Sequence, residues 1–435
     1  MDAIAVNPIS IDEFTAALET LNVTGTVALA VSGGRDSMAL AVLAASLVRR
    51  DLQFIALTVD HGLRGDSATQ AAQVASWCEA LGLPCQVLRW GGAKPSTAVQ
   101  ATARHARYRL LIDAALTHGA DTLLTAHTAD DQAETIAMRS ARSDAMLGLA
   151  GMRHDIQICA GASAAVRLVR PLLKFRREQT TQTLSIARQR FIDDPSNADD
   201  QFERVRIRRE LTKGGAVNNW LALGAKMRAR ADRSRAMETN LFAALGGAFF
   251  DWGGASIAQP QSAALEDAHF VSLLARLVRA VGADDHRPGD AAINRLVTAL
   301  HDRKPQTLGG VLIRSYEGKL WFFREPAALL GREGVPALVA TQLLRGRPVL
   351  WDRRFLISTT ANSPLFVKPL GALGDLTGVP NLLENPPSGA RLGVPGVFSS
   401  GTLICAPGCL SAEGSNLTIK ALNRERFSDD VLRFS

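Results

Sequence analysis

An apolar stretch, Val27-Ala28-Leu29-Ala30, runs into Val31-Ser32-Gly33-Gly34-Arg35-Asp36-Ser37 and is followed at once by the helix-forming run Met38-Ala39-Leu40-Ala41-Val42-Leu43. A strand that enters two glycines flanked by serines and leaves as a helix turns backbone N–H groups and hydroxyls toward one point at the helix N-terminus. Such a point binds an anion, and Ser32, Gly33, Gly34, Arg35 and Ser37 are the residues expected to cradle a phosphate. The spacing departs from the Walker A pattern, since no G-x-x-x-x-G-K precedes the serine, and it lacks the three-glycine dinucleotide fingerprint. Asp36 sets a carboxylate beside the cradle, which would repel the ligand unless a divalent cation lay between them. A nucleotide with magnesium is the resulting expectation. The plain alternative is a serine and glycine turn that only caps a helix.

The rest of the first half alternates in the same way. Phe54 to Val59 reads as a second strand ending at Asp60, Ala68 to Leu81 as a helix, and Pro84 to Leu88 as a short apolar run. Arg104 to Thr117 is helical, Asp121 to Ala126 a strand, and Asp131 to Arg139 a helix. Buried strands joined by helical crossovers make a doubly wound α/β fold with a mostly parallel sheet. Sites of such folds lie at the carboxyl ends of strands, where Ser32, Asp60 and His127 all fall. Residues Ala141 to Ala165 interrupt the rhythm and are expected to form a mobile or inserted loop. A helix follows from about Glu178 to Gln189. Helical periodicity returns from Asn218 to about Leu245, where Arg228, Arg230, Arg233 and Arg235 crowd together, and from Ala264 to His301. That arginine group reads either as a patch facing RNA or as a solvated face. Val311 to Tyr316 and Leu320 to Phe323, around Glu317-Gly318-Lys319, read as a hairpin. Gly346 to Ser435 is rich in glycine, proline and short β-branched runs, as in a small β-rich domain. The expected division is 1–215, 216–340 and 341–435.

The chain has 435 residues, 47% hydrophobic, and a formal charge of +7, so several domains with cores are expected and wholesale disorder is excluded. Fifteen Lys and Arg against nine Asp and Glu lie between Arg139 and Lys213, which concentrates the positive excess beside the nucleotide loop. Five cysteines, with no Cys-x-x-Cys pair, offer neither a secreted disulfide framework nor a soft-metal site. With no signal-like start and no run of about eighteen uncharged apolar residues, a cytoplasmic protein without a membrane partner is expected.

Four further groups are candidates for chemistry; the plain alternatives are a turn with surface charges for the first and a solvated helix face for the second and fourth. Asp60-His61-Gly62-Leu63-Arg64 brings an acid, an imidazole and a guanidinium to a strand end. Arg104 and Arg107, with Tyr108, put two guanidiniums on one helical face, suited to phosphate or carboxylate. Ala126-His127-Thr128-Ala129-Asp130-Asp131-Gln132-Ala133-Glu134-Thr135 places His127 and consecutive acids at a strand-to-helix junction. Asp131 and Glu134 there also fit helix capping, and Asp130 with Asp36 is the expected magnesium pair. Asp194-Pro195-Ser196-Asn197-x-Asp199 leads into Arg204-x-Arg206-x-Arg208-Arg209, a run suited to phosphate backbones.

Taken in order, these segments resemble the N-type ATP pyrophosphatases of the PP-loop superfamily. Ser32 to Ser37 resembles their signature loop. His61 to Arg64, Arg104-x-x-Arg107-Tyr108, His127 to Thr135, Gly148-Leu149-Ala150-Gly151-Met152, Arg170-Pro171-Leu172-Leu173 and Asp194 to Asn197 resemble the tRNA(Ile)-lysidine synthetases, over roughly residues 25 to 210. The resemblance implies ATP-dependent ligation of free lysine to the wobble cytidine of a tRNA(Ile) with a CAU anticodon. ATP would adenylate C2 of the base with release of pyrophosphate, and the lysine amine would then displace AMP. It implies that Ser32 to Ser37 and His61 bind ATP, that Asp36 and Asp130 hold magnesium, and that Asp36, Asp130, His127, Arg104 and Arg107 serve catalysis. Arg204, Arg206, Arg208 and Arg209 would bind tRNA; contacts of the C-terminal part with the acceptor stem and a homodimer are left open. Val205 departs from the family, which usually has asparagine there. The alternatives are another PP-loop tRNA-modifying enzyme and a non-catalytic RNA-binding module.

Overall fold

In the computed structural model, the described residues are 6–434 without 64, 93–98, 143–145, 161–165, 194–202, 215, 285–286, 335, 347, 383, 409–415 and 429–430. Arg64, and the segment from Asp194 through Asn197 to Asp199, therefore lie outside them. The chain divides into two compact units, the first drawn mainly from Met1–Ala160 and Ala165–Arg233, the second mainly from Ser234–Arg433.

The first unit begins with α1 (Ile11–Thr20), closed at its start by a capping box in which Ser10 and Glu13 satisfy each other's backbone N–H. Then come β1 (Gly25–Ala30), α2 (Arg35–Ala45), β2 (Leu52–Asp60), α3 (Ser67–Ala80), β3 (Cys85–Arg89), α4 (Val99–Thr117), β4 (Thr122–Leu124) and α5 (Ala129–Ser140). They are followed by α6 (Met146–Leu149), β5 (Asp155–Ala160), β6 (Val166–Val169), α7 (Arg177–Ala187), α8 (Glu203–Gly214) and α9 (Val217–Ala244).

The strands run in the order β5-β6-β4-β1-β2-β3, parallel throughout except for the β5–β6 pair. Alternation along each strand feeds two cores, as the pleat requires. Val27, Leu29, Ala56 and Leu124 pack with residues of α1, α2, α3 and α7 on one face. Ala28, Leu57 and Leu123 pack with Tyr108, Leu111, Ile112 and Ala115 of α4 on the other. Chain order reverses where β1 lies between β2 and β4, and that switch point opens the crevice in which α/β proteins bind ligands.

The loop expected at 141–165 is corrected in part: residues 155–160 are a strand, because Ile156 and Ile158 alternate into the core beside Val166 and Leu168 of β6. That strand is short, with only Ile156 and Ile158 to mark its period of two.

The second unit has an antiparallel sheet of β7 (Ala248–Phe249), β8 (Ala255–Ala258), β9 (Gln306–Leu308), β10 (Val311–Tyr316) and β11 (Lys319–Arg324), in the order β7-β8-β11-β10-β9. The β10–β11 hairpin forms where the sequence places it, with Tyr316 opposite Lys319 and a two-residue turn in which Glu317 and Gly318 both have positive φ. Helices α10 (Ala268–Val281) and α11 (Asp290–His301) share its core through Phe270, Leu274, Leu277, Ile293 and Leu296. The interval 264–301 is thus two helices, broken around Gly282 and Pro288. Beyond Gly346 the chain is β-rich, as its composition implies, in short antiparallel sheets around Trp351, Phe355, Val367 and Val397.

Candidate active site

At the carboxyl end of β1 the glycine loop folds on itself. Ser37 Oγ donates to the Gly34 carbonyl (2.8 Å) and accepts from the Ser32 backbone N–H (3.2 Å), so the two serines bracket the turn. Gly34 occupies the N-cap of α2 with no side chain covering the helix's first N–H groups, which leaves them available to an anion. Gly33 has φ +84°, and a Cβ there would lie 2.5 Å from Val74 Cγ2 and 2.8 Å from Ile192 Cδ1. Only glycine fits on both counts.

Asp36, in the first turn of α2, points toward α7. Its carboxylate accepts from Thr180 Oγ1 at 2.6 Å and lies 3.6 Å from Arg177 Nε. Burial raises its pKa above the ordinary carboxylate value, against the pull of Thr180 and Arg177. A carboxylate whose desolvation is only partly offset fits a position beside a cation and phosphate.

Arg177 is the hub of a larger cluster. Its guanidinium also reaches Asp131 Oδ1 and Glu134 Oε1, both at 3.1 Å. Glu134 is only 1% exposed at its side chain and takes two more guanidiniums, Arg204 Nε and Arg208 Nε at 2.7 Å each. Asp131 closes a capping box with Thr128 at the start of α5 and receives Arg204 Nη2 at 2.8 Å. Burial opposes the charge on Asp131, but Arg177, Arg204 and the Thr128 N–H bring its pKa down to about 2. Neighbouring Asp130 is held separately, by Arg176 Nε (3.1 Å) and by the Arg177 backbone N–H (2.7 Å). Asp36 and Asp130 thus both meet the start of α7, each through its own contacts.

His127 stands just past β4. Its Nδ1 shares a hydrogen bond with Thr125 Oγ1 (3.0 Å). Burial and then the nearby Arg170 guanidinium push its pKa down to about 3, so the ring is neutral at physiological pH. Asp60, ending β2, accepts from Ser67 Oγ (2.6 Å) and the Gly62 N–H (3.0 Å), a tight turn in which His61 Nδ1 accepts from the Leu63 N–H. On α4, Arg104 and Arg107 are exposed and flank buried Tyr108, their guanidinium carbons 5.1 and 5.6 Å from its ring centre. The Gly148–Met152 segment is clamped by side chains. Gln132 exchanges two hydrogen bonds with Met152, Arg139 donates to the Gly148 and Gly151 carbonyls, and Arg228 donates to the carbonyls of Ala150, Gly151 and Met152.

This geometry accompanies clear relationships. A family profile described as a PP-loop domain matches residues 7–214. The tRNA(Ile)-lysidine synthase of Methylobacterium nodulans is 37% identical over 345 residues, 75% of this chain and 99% of that protein. The chain belongs to the tRNA(Ile)-lysidine synthase family. Those of Ruegeria pomeroyi (34% identical, 87% of each chain) and Rhizobium meliloti (34%, 77% of this chain and 73% of that one) are similar to it as well.

For a member of this family, the structure separates the four arginines expected at tRNA. Arg204 and Arg208 turn inward onto Asp131 and Glu134, whereas Arg206 and Arg209 are exposed on α8. Val205, between them, is half-buried, and the ion pairs of Arg204 form without a polar side chain at that position. Arg177 and Thr180 carry no motif in the sequence. One signal was available: paired arginines, Arg176 and Arg177, open a helix where the dipole disfavours positive charge, which implies carboxylate partners elsewhere in the fold.

Proposed function

We infer that the chain is an ATP-dependent ligase that forms lysidine on tRNA(Ile), with the anticodon CAU and free lysine as the specific substrates. The cytidine C2 oxygen attacks the α-phosphorus of ATP and pyrophosphate leaves. The lysine amine then bonds to C2, and the C2–O bond breaks with departure of AMP. Family membership, with a tRNA(Ile)-lysidine synthase matched over 99% of its length, carries this reading.

The residues suit the steps. The uncapped N-terminus of α2, with Ser32, Gly33, Gly34, Arg35 and Ser37, receives the phosphates and stabilises charge that builds on departing pyrophosphate. Asp36 and Asp130 are hard oxygen donors that would hold magnesium. When bound, magnesium neutralises phosphate charge. A His127 pKa near 3 is too low for an efficient base at neutral pH, so His127 orients the nucleotide through hydrogen bonds. Arg104 and Arg107, on one face of α4, would meet phosphate or the lysine carboxylate, and His61 would line the nucleotide side. Among the described residues no helix is long and apolar enough to cross a membrane.

The test is incubation of the purified protein with ATP, magnesium, radiolabelled lysine and tRNA(Ile) carrying CAU, followed by nucleoside analysis. Labelled lysine attached to cytidine, with AMP and pyrophosphate formed in step, is the expected result. Sulfur incorporation in place of lysine, or transfer without ATP cleavage, would overturn it.

A further inference from the structure

The crowded arginines of α9 do not act as one patch. Their helical positions divide them between opposite faces of α9. The inner face packs on the catalytic unit: Val217, Trp220 and Leu221 join Ala133 of α5 and Leu211 of α8 in one apolar cluster. Gly224 lets the helix come so near that a Cβ would stand 2.4 Å from Ile136 Cδ1. One turn on, Arg228 belongs to this face and is consumed by the carbonyls of Ala150, Gly151 and Met152.

Lys226, Arg230 and Arg233 lie at i, i+4 and i+7, a single stripe about 10 Å long at 1.5 Å per residue, and all three are exposed. Exposed Asn219 and Ala222 extend the same face without adding charge. Among the described residues no carboxylate pairs with any of the three cations. Asp232, the acid nearest in sequence, lies on the flank of the helix. The stripe is therefore uncompensated, while the face behind it is locked to α5 and to the Gly148–Met152 segment.

We propose that Lys226, Arg230 and Arg233 form a phosphate-contacting surface for the tRNA substrate. The proposal rests on the functional reading above. Three unpaired cations in line on a rigid helix complement a polyanionic strand. Arginine and lysine side chains bind its backbone without reading sequence, and the locked inner face holds them at a fixed position relative to α5. On this assignment the neighbouring α8 supplies exposed Arg206 and Arg209 to the same backbone, and Arg204 and Arg208 do not take part.

The test compares the full chain with the variant Lys226→Ala/Arg230→Ala/Arg233→Ala, measuring tRNA binding across a salt series, ATP affinity and the thermal midpoint. Weaker tRNA binding by at least about tenfold at moderate salt is expected, with the slope of log K against log salt smaller by about 2 to 3. ATP affinity and thermal midpoint should stay at their wild-type values. The charge-conserving variant Lys226→Arg/Arg230→Lys/Arg233→Lys should retain tRNA affinity, which separates charge from lost packing. Unchanged tRNA affinity and salt slope in the folded alanine variant overturn the proposal and leave the face to another kind of contact. A fall in affinity with no change in slope overturns it too, since phosphate contacts release counterions. Lysine attachment by the wild-type chain is scored separately, so failure of the ligase reading is seen independently of the stripe.

Discussion

The glycine loop and the acid–arginine cluster meet at Asp36, yet they are built in different ways. Within the loop, hydrogen bonds join residues three to five apart, such as Ser37 to Gly34 and Ser32 to Ser37. In the cluster, Arg177, Arg204 and Arg208 reach Glu134 across 43, 70 and 74 residues. A loop of contiguous backbone is preorganised by its own φ and ψ values, whereas the cluster exists only once α5, α7 and α8 have docked. Damage to the loop should therefore show first in phosphate chemistry, and damage to the cluster first in stability.

The largest effect should come from Arg177→Ala, which strips one guanidinium from Asp36, Asp131 and Glu134 together. Removing one partner of a buried ion pair costs about 3 kcal/mol, and Arg204 and Arg208 keep the value from rising further. Urea unfolding would measure it; a loss under about 1 kcal/mol would mean that the cluster does not hold the helices together. Asp36→Asn comes next and reverses the emphasis. Pyrophosphate release with tRNA bound should fall roughly 10²-fold while the unfolding midpoint changes little. A near-wild-type rate would remove Asp36 from phosphate chemistry.

Gly33→Ala should cost about 2 kcal/mol, since it forces a positive φ on alanine and drives Cβ into Val74 and Ile192. Gly34→Ala is the control: φ is −69° and the nearest contact of an added Cβ is 3.7 Å, so thermal denaturation should rank it clearly milder. Equal losses would contradict the assignment of strain to position 33.

The smallest effect concerns His127. Its folded pKa, about 3, lies below the unfolded value near 6.5, so the unfolded chain binds the extra proton between those limits. The resulting penalty is absent above pH 6.5 and grows as pH falls toward 3, by at most about 1.4 kcal/mol per pH unit. Denaturation midpoints at pH 7.5 and 5.5 should draw apart less in His127→Gln than in the wild type. An identical pH response would show that His127 titrates normally.

Much of the catalytic unit was legible because its signals are local. The strand, glycine turn and helix at 27–45 follow one another without interruption. His127 and Asp130 are placed at a strand end by the buried run before them; in the second unit, the hairpin turn was legible too, with Gly318 at a positive φ. Strand β5 was not legible, because two buried isoleucines in six residues make a weak alternation. Nor could the run from Arg204 to Arg209 be divided, since arginines that bind a buried glutamate and arginines that face solvent have the same composition.

The sequence by itself determined the glycine turn between the first strand and its helix, the alternation of strands and helices behind it, and the excess of positive charge. These depend on residues that are neighbours along the chain, where φ, ψ and side-chain period suffice. Only the tertiary structure decided that Arg177 joins Asp36 to Asp131 and Glu134, that Arg204, Arg208 and Arg228 turn inward, and that Lys226, Arg230 and Arg233 remain outside. A guanidinium takes whichever carboxylate or carbonyl packing brings within about 3 Å, and packing is settled by the whole fold rather than by the residues beside it.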